Sequence, residues 1–459
     1  MKRFLLPLPL FLMLGVLARP VLASPPPQRN EPALPLLCCL DLPISSGTNG
    51  TLTEIDSGHP AATSNRRRAE VDAAPVKTSR PEAGKKSAEK STDGWRDIPP
   101  LKQAVQAQSF LGHHGVTFNG YLQLDGSSVA SGGQPKAIGF NGQYLLDVAT
   151  TIDTKQLFGW PGGTFLVDVQ SHSGPSIVTH QLPAIQDPDN MDAYTTTSVD
   201  RAWYQQDLLR HKVQLQVGLM YVDDKFLTVP YGQNFLSLDF SSDSSISTFV
   251  LPTYPKGSFG GNVFVYPGKG LYFSFGMYND HSTELPYDPG GDLYITEEAW
   301  QSSWHGLPFG LQVGAWRDTG RFQRFRGGIV HHASGEYVIA SQKLWQPAIP
   351  TSRGVGVFFQ FGEAPPAVAA VRRHFGAGVV WTGPIASRPR DEIGVAFSDS
   401  LLTAQSAFTH GFENEFEAYY QIYVYHGLTI QPDIEYWQHP GGGTTPNTVL
   451  VLTRIMYTF

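Results

Sequence analysis

The chain has 459 residues, of which 12% are aromatic, 33 are Lys or Arg, 40 are Asp or Glu and only two are cysteines. Cys38 and Cys39 are adjacent and cannot build a disulfide framework, and a net charge of −7 disfavours a basic groove, so no nucleic-acid partner is expected. After the N-terminus no apolar run approaches the roughly 20 residues of a spanning helix, so a membrane role would require a closed β-barrel.

Residues 1–23 open with Met1-Lys2-Arg3, continue through an apolar stretch from Phe4 to Leu17 and reach Val21-Leu22-Ala23. They are read as a secretory signal peptide cut after Ala23. Residues 24–95 are rich in Pro, Ala, Ser and charge, with Pro25–Pro27, Arg66–Arg68 and Lys85-Lys86, and are expected to be a disordered linker. Residues 96–111 could form a short helix with Leu101 and Val105 on one face; a frayed connector is the alternative. Of 55 aromatic residues, 51 lie from Leu111 onward, where 19 Lys and Arg face 30 Asp and Glu. The folded domain is therefore placed at residues 112–459.

Within it, alternation of apolar and polar residues recurs as the period of a strand demands. Val213, Leu215, Val217 and Leu219 alternate with Gln214, Gln216 and Gly218. Phe416, Ala418, Tyr420, Ile422 and Val424 alternate with Glu417, Tyr419, Gln421 and Tyr423, and Leu428, Ile430, Ile434 and Tyr436 with Thr429, Gln431, Asp433 and Glu435. About sixteen such segments begin near residues 116, 138, 164, 198, 212, 259, 270, 294, 308, 336, 353, 374, 391, 412, 427 and 448, the eighth being weak. Short turns (Tyr204 to Val213, Tyr266 to Leu271, Tyr425 to Leu428) alternate with long loops at about 171–197, 222–258 and 317–335, as in outer-membrane barrels. Trp160, Tyr278, Trp316, Trp381 and Trp437 are candidates for interfacial girdles. The final run, Thr448 to Phe459, places Val449, Val451, Ile455, Tyr457 and Phe459 on one parity and Arg454 on the other. That is a closing strand with lipid outside, since a cation facing mid-membrane lipid costs roughly 2 to 4 kcal/mol. A soluble sandwich would bury the same parity, so alternation leaves the sign open.

The residues carry little sign of catalysis. Gly-x-Ser-x-Gly and His-Glu-x-x-His are absent, and Gly354-Val-Gly356 and Gly376-Ala-Gly378 lack a third glycine at the required spacing. His113-His114 and His331-His332 would point to opposite faces of a strand. Asp223-Asp224 and the run Glu413, Glu415, Glu417 suggest cation binding less simply than solvated loop and lumen charge. No catalytic residue, metal or cofactor is expected.

The order of segments along the chain resembles the carbohydrate-selective porins, the OprB-type family of Gram-negative outer membranes. The resemblance lies in Val199-Asp-Arg-Ala-Trp-Tyr204, Val213 to Leu219, Gly261-Asn-Val-Phe-Val-Tyr-Pro267, Gly314-Ala-Trp-Arg-Asp-Thr-Gly320, Arg388-Pro-Arg-Asp-Glu-Ile-Gly394, Glu413 to Tyr425, Leu428 to Tyr436, His439-Pro-Gly-Gly-Gly443 and Arg454 to Phe459. It implies an all-β transmembrane antiparallel barrel of about 16 strands in the outer membrane. Through its water-filled, loop-narrowed pore, sugars would diffuse passively. The expected partners are outer-membrane lipid, sugars in transit and the barrel-assembly machinery, the last through Phe459.

Sugar passage wants aromatic faces and charged or amide groups that hold hydroxyls weakly. Glu417, Tyr419, Tyr423, Asp433, Glu435, Trp437 and Arg454 have the inward parity to supply them, and Asp168 and Arg201 are similar candidates. Asp223, Lys225, Asn234 and Phe235 belong to a long loop, Val222 to Ser258, that could fold into the lumen. Arg317, Arg321, Arg324 and Arg326 cluster in another and could offset an acidic wall. The rival readings are a general or differently selective pore, a barrel hydrolase and a soluble secreted adhesin.

Overall fold

The computed structural model describes residues 110–137, 139–279, 290–347 and 353–459. The signal peptide, the linker and most of the short helix expected over 96–111 lie outside the described residues; 110–113 are helical. Then follow β1 (Val116–Ser131), β2 (Asn141–Asp153), β3 (Gly163–Ser173), β4 (Thr196–Leu208), β5 (Val213–Met220), β6 (Ser258–Gly268), β7 (Leu271–Asn279), β8 (Asp292–Trp304) and β9 (Leu307–Asp318). After a two-stranded ribbon of β10 (Phe322–Gln323) and β11 (Ile329–Val330) come β12 (Ala333–Trp345), β13 (Gly354–Glu363), β14 (Val371–Thr382), β15 (Glu392–Leu402), β16 (Phe412–Tyr425), β17 (Leu428–Gln438) and β18 (Thr448–Thr458).

Every strand but the ribbon pair joins one closed antiparallel barrel, in which β18 returns to pair with β1 and leaves no free edge. The sixteen barrel strands begin within about three residues of the positions expected from alternation, because one face of each strand points out of the barrel and the other into the lumen. Among the described residues no helix is long and apolar enough to cross a membrane. Outward positions are apolar and exposed, among them Val167, Val217, Val313, Val395, Ile434, Val451 and Ile455. Inward neighbours on the same strands include Asp168, Gln216, Glu435 and Arg454, all buried. This fixes the sign that alternation left open, for a soluble sandwich would not bury its charges and expose its valines.

The start of β1, the end of β18 and the short turns share one rim, and the long connections lie at the other. Trp160, Trp304, Trp345, Trp381 and Tyr425, all exposed, sit at or beside the short-turn ends of their strands and form the expected girdle. Tyr278, Trp316 and Trp437 do not belong to it. They are at most 2% exposed and point inward, because each shares the parity of an inner-wall neighbour: Trp316 with Gly314, Trp437 with Glu435.

Phe459 finishes the seam. Its N–H donates to the Gly120 carbonyl at 2.9 Å, and its carbonyl accepts from the Gly120 N–H at 3.1 Å. Its ring lies over Gly120, where a Cβ would meet it at 2.7 Å. Removing Phe459 therefore frees two backbone groups and exposes the closing edge. We expect a smaller fraction of heat-modifiable barrel in membranes for a chain ending at Thr458, read as the shift in gel mobility on boiling; an unchanged fraction would refute the role of the seam.

Candidate functional site

Two long loops fold into the barrel instead of standing above it. The first, residues 174–195, carries a helical turn, Ile177–His180, whose amide N–H groups at Ile177 and Val178 donate to Asp192 at 2.7 and 3.2 Å. The second, residues 221–257, contains the short helices Leu238–Ser241 and Ser244–Ser247, started by the side chains of Ser237 and Asp243. The loops bond to each other through Asn190 N–H to the Leu236 carbonyl at 2.7 Å and Leu238 N–H to the Asp187 carbonyl at 3.1 Å. Together they form one insert.

The second loop is apolar toward the wall. Phe226, Phe235, Phe240 and Phe249 are buried in a cluster with Tyr278, Trp316, Tyr337, Phe358 and Tyr419 from the inner faces of β7, β9, β12, β13 and β16. Phe235 stands edge-on to Tyr419 with centroids 4.9 Å apart. Gly394 makes room for this contact, since a Cβ there would press on both rings. Interior aromatics thus hold the insert against the inner wall from β6 round to β16 and explain why Tyr278 and Trp316 point inward.

Inner-wall acids and hydroxyls then fix its backbone. Glu417 accepts from Leu236 N–H at 2.6 Å and Ser237 N–H at 3.1 Å. Glu297 accepts from Leu227 N–H at 3.1 Å and from the Tyr337 hydroxyl at 2.8 Å. Ser398 donates to Asp239 at 2.6 Å, and His374 lies between Asp239 and Asp243 at 3.7 and 3.4 Å. Glu413 takes the N–H groups of Ile185 and Gln186 at 3.1 and 3.3 Å, and that of Gly441. Loop amides that would be unsatisfied inside a barrel are therefore met by carboxylates.

Away from the packed side, Arg201 of β4 joins wall to loop. Its guanidinium donates to Asp168 of β3 at 2.7 Å and to Asp224 of the loop at 3.2 Å, and lies 3.6 Å from Asp147 of β2. It also stands over the Tyr221 ring, 5.4 Å from its centroid. Its side chain keeps 13% of its exposure and that of Asp224 keeps 18%. Lys225, Tyr231 and Asn234 are half-buried on the same loop, and Trp203 is a half-buried inward neighbour of Arg201 on β4. Burial pushes the Asp223 carboxyl up to about 7, the Asp224 charge beside it adding to the rise, while Thr253 donates to it at 2.6 Å. Burial lowers the Lys225 ammonium below its ordinary range. Mixed charge with aromatic faces at partly covered positions is what a narrowed polar passage offers a hydroxyl-rich solute.

The residues expected from parity divide by place. Asp168, Arg201, Asp223 and Lys225 come together at this junction. Asn234 donates to Glu392 at 2.7 Å, and Tyr419 donates to the same Glu392 oxygen at 2.6 Å. Tyr423, inward near the short-turn rim, lies under the Arg390 guanidinium at 4.6 Å. Glu417, Asp433, Glu435 and Trp437 are buried beneath the insert, and Phe235 is packed in the aromatic cluster. Arg454 turns to Asp125 at 2.7 Å and Asp189 at 2.8 Å.

Arg317, Arg321 and Arg324 need correction as lumen residues. Arg317 shares the outward parity of Val313 and Ala315, and Arg321 and Arg324 are exposed on the loop that carries the β10–β11 ribbon, so none offsets the acidic wall. Asp125, Asp147, Glu297 and Glu392 are not among the residues expected from the sequence, yet all fall on inward positions; parity could have flagged them, but only the loop's path shows why they matter.

A sixteen-stranded barrel with a polar wall and inward loops defines a porin. Residues 142–459 match the model of the carbohydrate-selective porin, OprB family, and the chain belongs to that family. It is 26% identical to Porin B of Pseudomonas aeruginosa over 138 residues, covering 26% of this chain and 30% of that relative, and so spans under a third of its length in that match. It is 21% identical to a putative porin, QuiX, of Acinetobacter baylyi, over 72% of this chain and 86% of the relative. In fold it is similar to a high-pH structure of Pseudomonas putida OprB, with TM-score 0.70 at 16% identity over 78% of this chain and 97% of that one.

Proposed function

We propose that the chain is an outer-membrane channel that lets carbohydrates diffuse passively through a water-filled passage narrowed by its two inward loops. The observation that carries this reading is the junction at Arg201, where the Arg201 guanidinium, the Asp224 carboxylate, Lys225 and the Trp203 ring stay partly accessible beside an otherwise packed insert. Charged groups there can exchange hydrogen bonds with hydroxyls, and an aromatic face can meet the apolar side of a sugar ring. The apolar outer band and aromatic girdle suit outer-membrane lipid, and the exposed terminal Phe459 is the feature we assign to recognition by the barrel-assembly machinery.

The test is a planar-bilayer recording of the purified full chain. Steps of conductance are expected, and a sugar that enters should reduce the current reversibly as its concentration rises. Conductance that no sugar alters would leave a general pore in place of the carbohydrate-selective one; absence of conductance would refute the channel altogether.

A further inference from the structure

Beneath the insert, away from Arg201, lies a second acidic cluster on adjacent strands. Glu417 of β16 and Glu435 of β17 are direct cross-strand partners, and Glu415 shares the inward face of Glu417. One carboxylate oxygen from each of Glu415, Glu417 and Glu435 lies within 4.8 Å of the others, and all three side chains are buried. The local guanidinium is committed elsewhere, since Arg454 donates to Asp125, Asp189 and Asn190.

The hydrogen bonds present are incomplete. Ser237 Oγ donates to one oxygen of Glu415 at 2.6 Å, and Trp437 Nε1 to one oxygen of Glu435 at 2.7 Å. The other oxygen of each has no partner although it is buried. Separately, Asp433 is 4% exposed, lies two residues from Glu435 on the same face and faces the Glu417 carboxylate, and neither of its oxygens receives a well-formed hydrogen bond from a donor. Buried acceptors without donors need a cation or a proton.

The donor set selects the chemistry. It is all carboxylate oxygen, with no imidazole or thiolate, which suits hard divalent ions. Opposite ligands of a calcium ion stand roughly 5 Å apart, close to the spread of these oxygens.

We propose that Glu415, Glu417 and Glu435, assisted by Asp433, hold a calcium-type divalent cation that fastens the 221–257 loop to the barrel wall. The fastening follows from shared residues: Glu417 also receives the amides of Leu236 and Ser237, and Glu415 receives the Ser237 hydroxyl. A cation that fixes these two carboxylates fixes the loop's turn before Leu238–Ser241. This site would exist whatever solute the pore admits.

The experiment uses the full chain in detergent free of lipopolysaccharide, stripped with a chelator and titrated with calcium chloride by calorimetry and with terbium by luminescence. Trp437, bonded to Glu435, should sensitise terbium emission. One ion per chain is expected, with calcium displacing terbium and raising Tm. Glu415→Gln with Glu435→Gln should abolish both the binding and the rise in Tm. Trp437→Phe should reduce the sensitised emission while keeping the calcium-dependent rise, and this keeps the test decisive if the double variant does not fold. The proposal is overturned if the unmodified chain binds neither ion, which would mean that protons neutralise the cluster. Undiminished emission from Trp437→Phe, or unchanged binding by the folded double variant, would also overturn it by placing the ion elsewhere.

Discussion

Arg454→Met is expected to destabilise the barrel by about 3 to 5 kcal/mol, the range for removing one partner of a buried ion pair and leaving the other charged. Arg454 is 5% exposed, and its direct cross-strand neighbour across the closing seam is Asp125. It also reaches Asp189 and Asn190 of the first inward loop at 2.8 and 2.9 Å. A neutral side chain there strands two buried carboxylates, one on the wall and one on the insert. Thermal unfolding in detergent, followed by loss of gel heat-modifiability, measures the effect. Adding Asp125→Leu should recover part of it, because a pair replaced by apolar groups avoids the uncompensated charge. A cost under about 1 kcal/mol for the single change would mean that lumen water screens these carboxylates as it would at a surface.

What alternation could show and what it could not follows from where each pattern originates. A strand between two environments carries them at a period of two, so Ile434 beside Glu435, or Ile455 beside Arg454, declares its faces without help from the rest of the fold. β8 was hard to see for a physical reason: Leu293 and Ile295 point inward because the insert covers them, while Glu298 is exposed on the outer side, which reverses the expected pattern. The insert itself has no period. Phe235, Phe240 and Phe249 are spaced irregularly, and their burial depends on a loop path that brings them to Phe358 and Trp316 from distant strands. For the same reason sequence could place Glu417 on the inner wall but could not say that its partners are the amides of Leu236 and Ser237, 180 residues or more away. Arg317 sits at a boundary: the sequence places it in a loop, whereas it is the second-last residue of β9 and keeps the outward parity of that strand.

The Arg201 junction offers the sharpest functional contrast. One guanidinium balances Asp147, Asp168 and Asp224, so Arg201→Gln would leave Asp147 and Asp168 without a cation and Asp224 with only the neighbouring Lys225. Rings of acidic side chains favour cations in pores, and lumen substitutions alter selectivity with less damage to insertion than charges facing lipid. We therefore expect the variant to insert and conduct, with cation over anion permeability raised severalfold and sugar block weakened. The loss of the Asp224 tie should also loosen the 221–257 loop on this side and increase current noise. Reversal potentials in asymmetric salt read the first effect directly. Arg317→Gln is the matched control: it removes the same charge from an exposed position on the outer face and should leave the reversal potential where it was. If the control moved the potential and Arg201→Gln did not, solutes would pass by another route, and the partly accessible charges beside Trp203 would be only a brace for the loop.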